Sequence, residues 1–189
     1  PHAEYVEWQR KCLSEMMRVV KETGAIFYNH KWRVQKGLLQ DRQDIVYGFP
    51  VRQIIIWKRN GGINFNKGYF LPTYEVIYLI AKKKFQLAPK ANAYGDVWEF
   101  GQELNNPHPA PFPIQLIERI IGSTNAELVL DPFMGSGTTA IAARNLGRSY
   151  VGIELSKEYC DLANDRIRDG YLKKQNTVAK KQLQLDLGM

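Results

Sequence analysis

The chain has 189 residues, which is the length of about one domain. Its 44% hydrophobic and 24% charged residues are close to the globular average, which excludes a disordered or fibrous chain. Its apolar runs are short, so we expect neither a membrane-spanning segment nor a signal peptide. Two cysteines are too few for a disulfide framework, and a reduced, cytoplasmic location is expected.

The net charge of +7 is distributed unevenly along the chain. Residues 1–89 contain 15 basic and 7 acidic side chains, whereas residues 90–189 contain 11 basic and 12 acidic ones. A basic half beside a neutral half predicts a polyanion, such as nucleic acid, on one side of the molecule. The alternative is an ordinary solvated surface.

Hydrophobic spacing predicts alternating helices and strands in the first half of the chain. The predicted elements are a helix over 4–22, a strand over 25–28, a weaker helix over about 31–43, a central strand over 53–57 and a strand over 74–81. A glycine-rich loop separates the last two strands. No clear periodicity is found over 85–112.

The second half follows a different, more regular pattern. Its predicted elements are a helix over 114–121 that Pro113 begins, a strand over 127–130, a helix over 137–147, a strand over 149–153 and a helix over 156–168. This β-α-β-α order is typical of a parallel sheet with helices on its faces. The remaining residues, 171–189, are polar and predict a frayed tail.

The most informative segment runs from Asp131 to Thr139 and reads Asp-Pro-Phe-Met-Gly-Ser-Gly-Thr-Thr. It follows a predicted strand and begins a predicted helix. Gly135 and Gly137 permit a tight turn and a close approach of the backbone to a ligand. The helix N-terminus presents free N–H groups and the positive end of its dipole, and Thr138 adds a hydroxyl group beside that of Thr139.

Three ligands fit such a turn to different degrees. A phosphate-binding P-loop needs a lysine after its last glycine, and here Thr138 follows Gly137 directly. A dinucleotide turn has a third glycine where this chain has Ala140, so that interpretation stays open. S-Adenosylmethionine has no pyrophosphate for Asp131 to repel, and it carries an amine that this carboxylate can receive. The methyl donor is therefore favoured.

A second carboxylate supports a nucleoside at this position. Glu154 ends the run Val-Gly-Ile-Glu, 17 residues after Gly137 (154 − 137). A carboxylate at the end of this strand can accept hydrogen bonds from both ribose hydroxyls. The alternative is that Glu154 only caps the helix that begins near Ser156.

Together, Asp131–Thr139 and Val151-Gly152-Ile153-Glu154 resemble the amino-methylating DNA methyltransferases, which modify N6 of adenine or N4 of cytosine. His108-Pro109-Ala110-Pro111-Phe112-Pro113 and Phe70-Leu71-Pro72-Thr73-Tyr74-Glu75 are similar to further segments of these enzymes, and the resemblance covers about residues 4–168. It implies an α/β, Rossmann-like, S-adenosylmethionine-dependent methyltransferase fold, with a mostly parallel sheet and helices on both faces. The cofactor-binding residues that it implies are Asp131, Pro132, Phe133, Gly135, Ser136, Gly137, Thr138, Thr139, Glu154, His108, Pro109 and Phe112.

The order of the two halves resembles the beta group of these enzymes. The implied domains are a catalytic half over 1–84, a linker or target-recognition region over 85–112, a cofactor half over 113–170 and a tail over 171–189. In this group a catalytic Asp/Ser-Pro-Pro-Tyr tetrapeptide lies upstream of the first helix seen here, and this chain contains no such tetrapeptide. The resemblance therefore assigns no catalytic residue to the chain, and it implies that two strands before Pro1 are missing.

The missing strands have an energetic consequence. Each ladder N–H or C=O group left unpaired in a buried strand costs about 1–3 kcal/mol. A row of them would exceed the typical stability of a domain. The 189 residues alone are therefore expected to be poorly folded and inactive, and the missing segment is expected to come from the same chain or from another one.

The resemblance also implies double-stranded DNA as the partner, a flipped target base and no metal. The loop after the central strand contains the candidate DNA-binding residues, since basic and amide side chains suit phosphates and base edges. These candidates are Lys58, Arg59, Asn60, Asn64 and Lys67. The alternative for this loop is a flexible hairpin without function, and Trp98 is either part of a recognition region or part of the core.

Methylation of adenine N6 in a specific DNA sequence is the leading hypothesis, within a restriction-modification system or by an orphan methylase. Methylation of cytosine N4 is the second hypothesis. The alternatives are a non-catalytic cofactor-binding or DNA-binding piece and a methyltransferase for RNA or a small molecule. The recognition sequence and the oligomeric state stay open, with a homodimer as one option.

Overall fold

The structure is a computed structural model that describes residues 2–59, 63–101 and 111–170. The chain divides into two compact units, one made of 1–102 with 123–125 and the other of 103–122 with 126–189. None of the helices in the described ranges is long and apolar enough to cross a membrane.

A four-stranded sheet forms the centre of the first unit. The elements of this unit are α1 (His2–Val19), β1 (Ala25–His30), β2 (Arg33–Gln35), β3 (Leu38–Gln40), α2 (Gln43–Val46), β4 (Val51–Lys58), β5 (Tyr74–Ala81), a 3-10 turn (Ala91–Ala93) and β6 (Val97–Glu99). The strand order is β1-β5-β4-β6. Because β5 is antiparallel to both β1 and β4 while β6 is parallel to β4, the sheet is mixed and β5 alone runs against the others.

The core of this unit is built on β5. Alternate residues of a strand face opposite sides of a sheet, and Val76, Tyr78 and Ile80 face the side that packs against Leu13 of α1 and Ile45 of α2. These five side chains are at most 1% exposed. The apolar spacing that predicted the first helix therefore supplies the face that covers the sheet, and the predicted strands over 25–28, 53–57 and 74–81 are confirmed.

The helix predicted over 31–43 is wrong. These residues form the hairpin β2–β3, with Arg33 opposite Gln40 and Gln35 opposite Leu38. The two turn residues have φ angles of 52° at Lys36 and 78° at Gly37. Positive φ at both positions matches the right-handed twist of a two-residue hairpin. Strands of three residues are too short to show a period of two, so spacing alone did not identify them.

The second unit has the predicted β-α-β-α pattern. Its elements are α3 (Ile114–Gly122), β7 (Leu128–Asp131), α4 (Thr138–Asn145), β8 (Ser149–Gly152) and a helix over 157–170, here called α5. Strands β7 and β8 are parallel, with Asp131 opposite Gly152. Ile117 and Ile121 of α3 pack on Ala142 and Ala143 of α4 and form the buried cluster of this unit.

Besides the hairpin strands, β6 was not expected from the sequence. Strand β6 lies in the stretch over 85–112 that showed no periodicity, and it pairs with β4. Its central residue Trp98 is 7% exposed and donates a hydrogen bond from Nε1 to the carbonyl oxygen of Gly95 at 2.6 Å. Trp98 is therefore a core residue. The predicted tail over 171–189 lies outside the described residues.

Candidate functional site

The glycine turn lies between the carboxyl end of β7 and the start of α4. Asp131 is the last residue of β7, and the backbone continues the pairing beyond the strands, since Ile153 N donates to Asp131 O at 2.9 Å. Met134 N then donates to Ile153 O at 2.9 Å. Because the two strands are parallel, Asp131 and Glu154 come to the same edge of the two-stranded sheet, which is where α/β folds bind their ligands.

Both glycines of the turn have the conformation that the sequence predicted. Gly135 has a φ of 51° and Gly137 a φ of 83°, so each lies in the left-handed region that favours glycine. A Cβ atom on Gly137 would lie 3.0 Å from Cβ of Ala163 in α5. The close approach at Gly137 is therefore to a neighbouring helix, and this glycine serves packing as well as the turn.

Asp131 holds the turn from its amino-terminal side. Its Oδ1 accepts a hydrogen bond from the Phe133 N–H at 3.0 Å, and its Oδ2 accepts one from Thr139 Oγ1 at 2.6 Å. The hydroxyl of Thr139 thus points back to the carboxylate. One side chain thereby connects the end of β7, the middle of the turn and the first turn of α4.

Glu154 holds the turn from the other strand. Its Oε2 accepts a hydrogen bond from Gly135 N–H at 2.8 Å. Its Oε1 accepts hydrogen bonds from Leu155 N–H and Ser156 N–H, both at 2.9 Å. The local capping role considered for Glu154 is therefore present, and the same carboxylate also reaches across to the glycine turn.

Arg166 is a part of this site that sequence reasoning missed. Ser136 and Thr138 are 4% and 5% exposed, and their hydroxyls face Arg166 of α5. Arg166 Nη1 donates to Ser136 Oγ at 2.8 Å and lies 3.4 Å from Thr138 Oγ1. No local sequence signal identifies this arginine, because the contact joins residues 30 positions apart.

The N-terminus of α4 can receive an electronegative group. Gly137 precedes the helix and no side chain caps it. The first N–H groups of a helix lack partners within the helix, and its dipole favours negative charge there. Phe133, in the same turn, adds an apolar side chain that is 53% exposed. The glycine turn thus combines Asp131, a helix N-terminus and an exposed aromatic ring, and Glu154 reaches it from the end of β8.

Not every predicted cofactor residue is at this turn in the described structure. His108 and Pro109 lie outside the described residues. Phe112 is half-buried and packs against the cluster between α3 and α4. Pro132 follows Asp131 within the turn.

The predicted DNA-binding loop begins with two cations that are already paired. Lys58 Nζ lies 2.9 Å from Glu99 Oε2, and Arg59 Nη1 lies 3.1 Å from Glu75 Oε1. The Arg59 side chain is only 14% exposed. Lys67 is exposed, and Asn60 lies outside the described residues.

The later part of this loop is held by its own asparagines and exposes large apolar side chains. Asn64 Nδ2 donates to Tyr69 O at 2.7 Å, and Asn64 Oδ1 accepts from Asn66 N–H at 3.0 Å. Asn66 Oδ1 in turn accepts from Gly68 N–H at 2.7 Å. The exposed apolar side chains are Ile63, Phe65 and Phe70, at 79%, 89% and 96%. The predicted role of Asn64 toward DNA therefore competes with its role in shaping the loop.

The comparisons with known proteins agree with these features. A family model described as N6_N4_Mtase, DNA methylase, matches residues 1–165. The chain belongs to this family. The type II methyltransferase M.BglII from Bacillus subtilis is 32% identical over 205 residues, an alignment that covers 86% of this chain and 57% of that protein. The chain therefore spans less than two thirds of the length of this relative.

Two solved structures have the same fold. The M1.HpyAVI–SAM complex is 27% identical with a TM-score of 0.64, and the match covers 85% of this chain and 80% of that one. The PvuII DNA methyltransferase, which is cytosine-N4-specific, has a TM-score of 0.74 at 18% identity and is matched over 92% of this chain and 78% of that one. The predicted Rossmann-like methyltransferase fold and the family resemblance are confirmed.

Proposed function

We propose that the protein binds S-adenosylmethionine at the glycine turn and serves in the methylation of an exocyclic amino group in DNA, with adenine N6 as the target in a specific sequence. The observation that carries the proposal is the pair of carboxylates, Asp131 and Glu154, at the same sheet edge on both sides of the uncapped start of α4. Family membership and the SAM complex of M1.HpyAVI support the same ligand.

The residues of the turn fit the chemistry of this cofactor. Glu154 is the group for the ribose hydroxyls, because it lies at the end of the second strand. Asp131 suits the amine of the methionine moiety, and the first N–H groups of α4 suit its carboxylate. When bound, the cofactor supplies an electrophilic methyl group on a sulfonium. The side chains named here bind and orient it, and none of them reacts with it.

The target amine has no assigned partner in this chain, since no Asp/Ser-Pro-Pro-Tyr tetrapeptide occurs in it. An amine whose lone pair is delocalised into a base ring needs hydrogen-bond acceptors that hold it during transfer. The proposed cytoplasmic methylase activity is therefore assigned to the longest form of the protein that the gene encodes. Its partner is double-stranded DNA.

One experiment distinguishes the targets. The longest encoded form is incubated with S-adenosylmethionine carrying a labelled methyl group, together with duplex DNA or RNA, and the digested nucleosides are identified by mass. Labelled N6-methyladenine from DNA supports the proposal, whereas N4-methylcytosine supports the alternative target. Label in RNA only, or cofactor binding with no transfer to any nucleic acid, contradicts DNA methylation as the function.

A further inference from the structure

The hairpin β2–β3 and the residue Lys31 before it carry exposed positive charge that no carboxylate of the described residues neutralises. Between Glu22 and Asp41 the sequence contains Lys31, Arg33 and Lys36 and no acidic residue. All three basic side chains are exposed. Within the described ranges none of the three forms an ion pair.

This hairpin differs from the loop that the sequence favoured for DNA binding. There, Lys58 pairs with Glu99 and Arg59 pairs with Glu75. A cation that already has a carboxylate partner presents little net charge to a polyanion. The positive charge available for phosphates is therefore greater on the hairpin than at the start of that loop.

The hairpin and the loop leave the sheet at the same edge. Both β1 and β4 are antiparallel to β5, so they run in the same direction. His30 at the end of β1 is opposite Val76, and Lys58 at the end of β4 is opposite Tyr74. The two segments thus begin two strand spacings apart, which is about 10 Å. A single duplex lying along this edge can contact both.

The base of the hairpin is fixed by one tyrosine of the central strand. Trp32 Nε1, just before β2, donates to Tyr78 Oη at 2.9 Å. The Tyr78 hydroxyl donates to Asp41 O, just after β3, at 2.6 Å. Both ends of the hairpin are therefore held to β5, and its cations are presented with a reduced entropic cost of binding.

We propose that the β2–β3 hairpin is a duplex-binding ribbon, with Lys31, Arg33 and Lys36 contacting DNA phosphates. This inference rests on the proposed function, because it takes DNA as the substrate. A two-stranded ribbon fits the major groove, which is about 12 Å wide. Gln35 and Gln40 lie on the same face as Arg33, since Gln40 is opposite it and Gln35 is two residues on. Their amides are groups that pair with base edges.

The test compares two triple variants with the same change in net charge. K31A/R33A/K36A removes the hairpin cations, and K83A/K84A/K90A removes three exposed cations that follow β5. Like the hairpin cations, these three lysines form no ion pair within the described residues. Binding of the longest encoded form to a random-sequence duplex is measured by fluorescence anisotropy from 50 to about 300 mM KCl. Each lost phosphate contact reduces the slope of log binding constant against log salt concentration by about 0.9 in magnitude. The slope of the hairpin variant should therefore be smaller in magnitude than that of the wild type by about 2.7. The K83A/K84A/K90A variant should keep the wild-type slope.

The outcomes separate this inference from the function itself. Equal slopes for the two variants, with tight binding by the wild type, would overturn the hairpin contact and leave DNA methylation standing. Absence of salt-dependent duplex binding by the wild type would contradict DNA as the substrate. The charge-preserving variant K31R/R33K/K36R guards against misfolding, and it should restore the wild-type slope. Loss of the slope in this variant also would overturn the proposal.

Discussion

Replacing Glu154 by alanine tests the assignment of the cofactor site most directly. Its carboxylate accepts hydrogen bonds from the backbone N–H groups of Gly135, Leu155 and Ser156. With the cofactor bound, we expect it to accept hydrogen bonds from the ribose as well. Alanine removes both kinds of contact, so the variant should lose stability and affinity together.

The two losses have similar expected sizes, but they arise from different contacts. Hydrogen bonds to a charged acceptor contribute about 1.5–3 kcal/mol each when buried. Because Glu154 is half-buried and water replaces part of its contacts, we expect the free energy of unfolding to fall by about 1–3 kcal/mol in total. Loss of the ribose contacts should cost a further 1–3 kcal/mol or so of binding free energy. This range corresponds to a rise of about 5- to 140-fold in the dissociation constant.

Calorimetric titration with S-adenosylmethionine measures the affinity, and urea unfolding without ligand measures the stability. Glu158→Ala is the matched control, since it removes an exposed carboxylate of α5 near the site. An S-adenosylmethionine analogue that lacks the ribose 2′-hydroxyl distinguishes loss of the ribose contact from an indirect effect of a disordered glycine turn. The wild type should bind this analogue more weakly than the parent cofactor, whereas Glu154→Ala should bind both alike. Equal discrimination by the two proteins would remove Glu154 from the ribose site.

Gly137→Ala should destabilise the protein more than Gly147→Ala in urea unfolding. Both residues have positive φ, but only a Cβ atom at Gly137 would meet a neighbouring helix. Equal losses of unfolding free energy in the two variants would mean that helix packing at Gly137 is unimportant. Burial lowers the pKa of His30, so the neutral form is favoured in the fold, and the free energy of unfolding should decline as the pH falls below about 6.5. His30→Gln should flatten this decline, and an unchanged pH profile in this variant would exclude His30 as its source. Removing exposed Lys67 should lower the DNA salt slope by about 1, more than removing Lys58, which a carboxylate already holds; the reverse order would contradict the role of that ion pair.

The sequence predicted best those helices and strands that are long enough for their hydrophobic pattern to be unambiguous. The helix over 4–22 shows several turns of apolar spacing, and the strand over 74–81 is apolar throughout except for Glu75. The hairpin over 33–40 has three residues on each strand and a lysine in the left-handed region at Lys36. No periodicity can develop over three residues, and a left-handed lysine has no sequence signature comparable to that of glycine.

The site was predictable to the extent that it is local. Asp131 and Glu154 each follow a predicted strand, and parallel strands bring their carboxyl ends to one edge. The partners of the basic residues were not predictable in this way. Arg59 pairs with Glu75 across an antiparallel ladder, and Arg166 reaches the glycine turn from a later helix. These contacts depend on register and on helix packing, which residue spacing along the chain does not specify.

The carboxylates assigned to the ligand are also the groups that shape the turn. Asp131 accepts hydrogen bonds from the Phe133 backbone and the Thr139 side chain, and Glu154 accepts one from Gly135. These hydrogen bonds within the chain order the turn, and we expect this order to reduce the entropic cost of binding. We therefore also expect a substitution that loosens the turn, such as one at Gly137, to weaken cofactor binding indirectly. Only a comparison of two ligands in the same variant separates direct contact from this coupling.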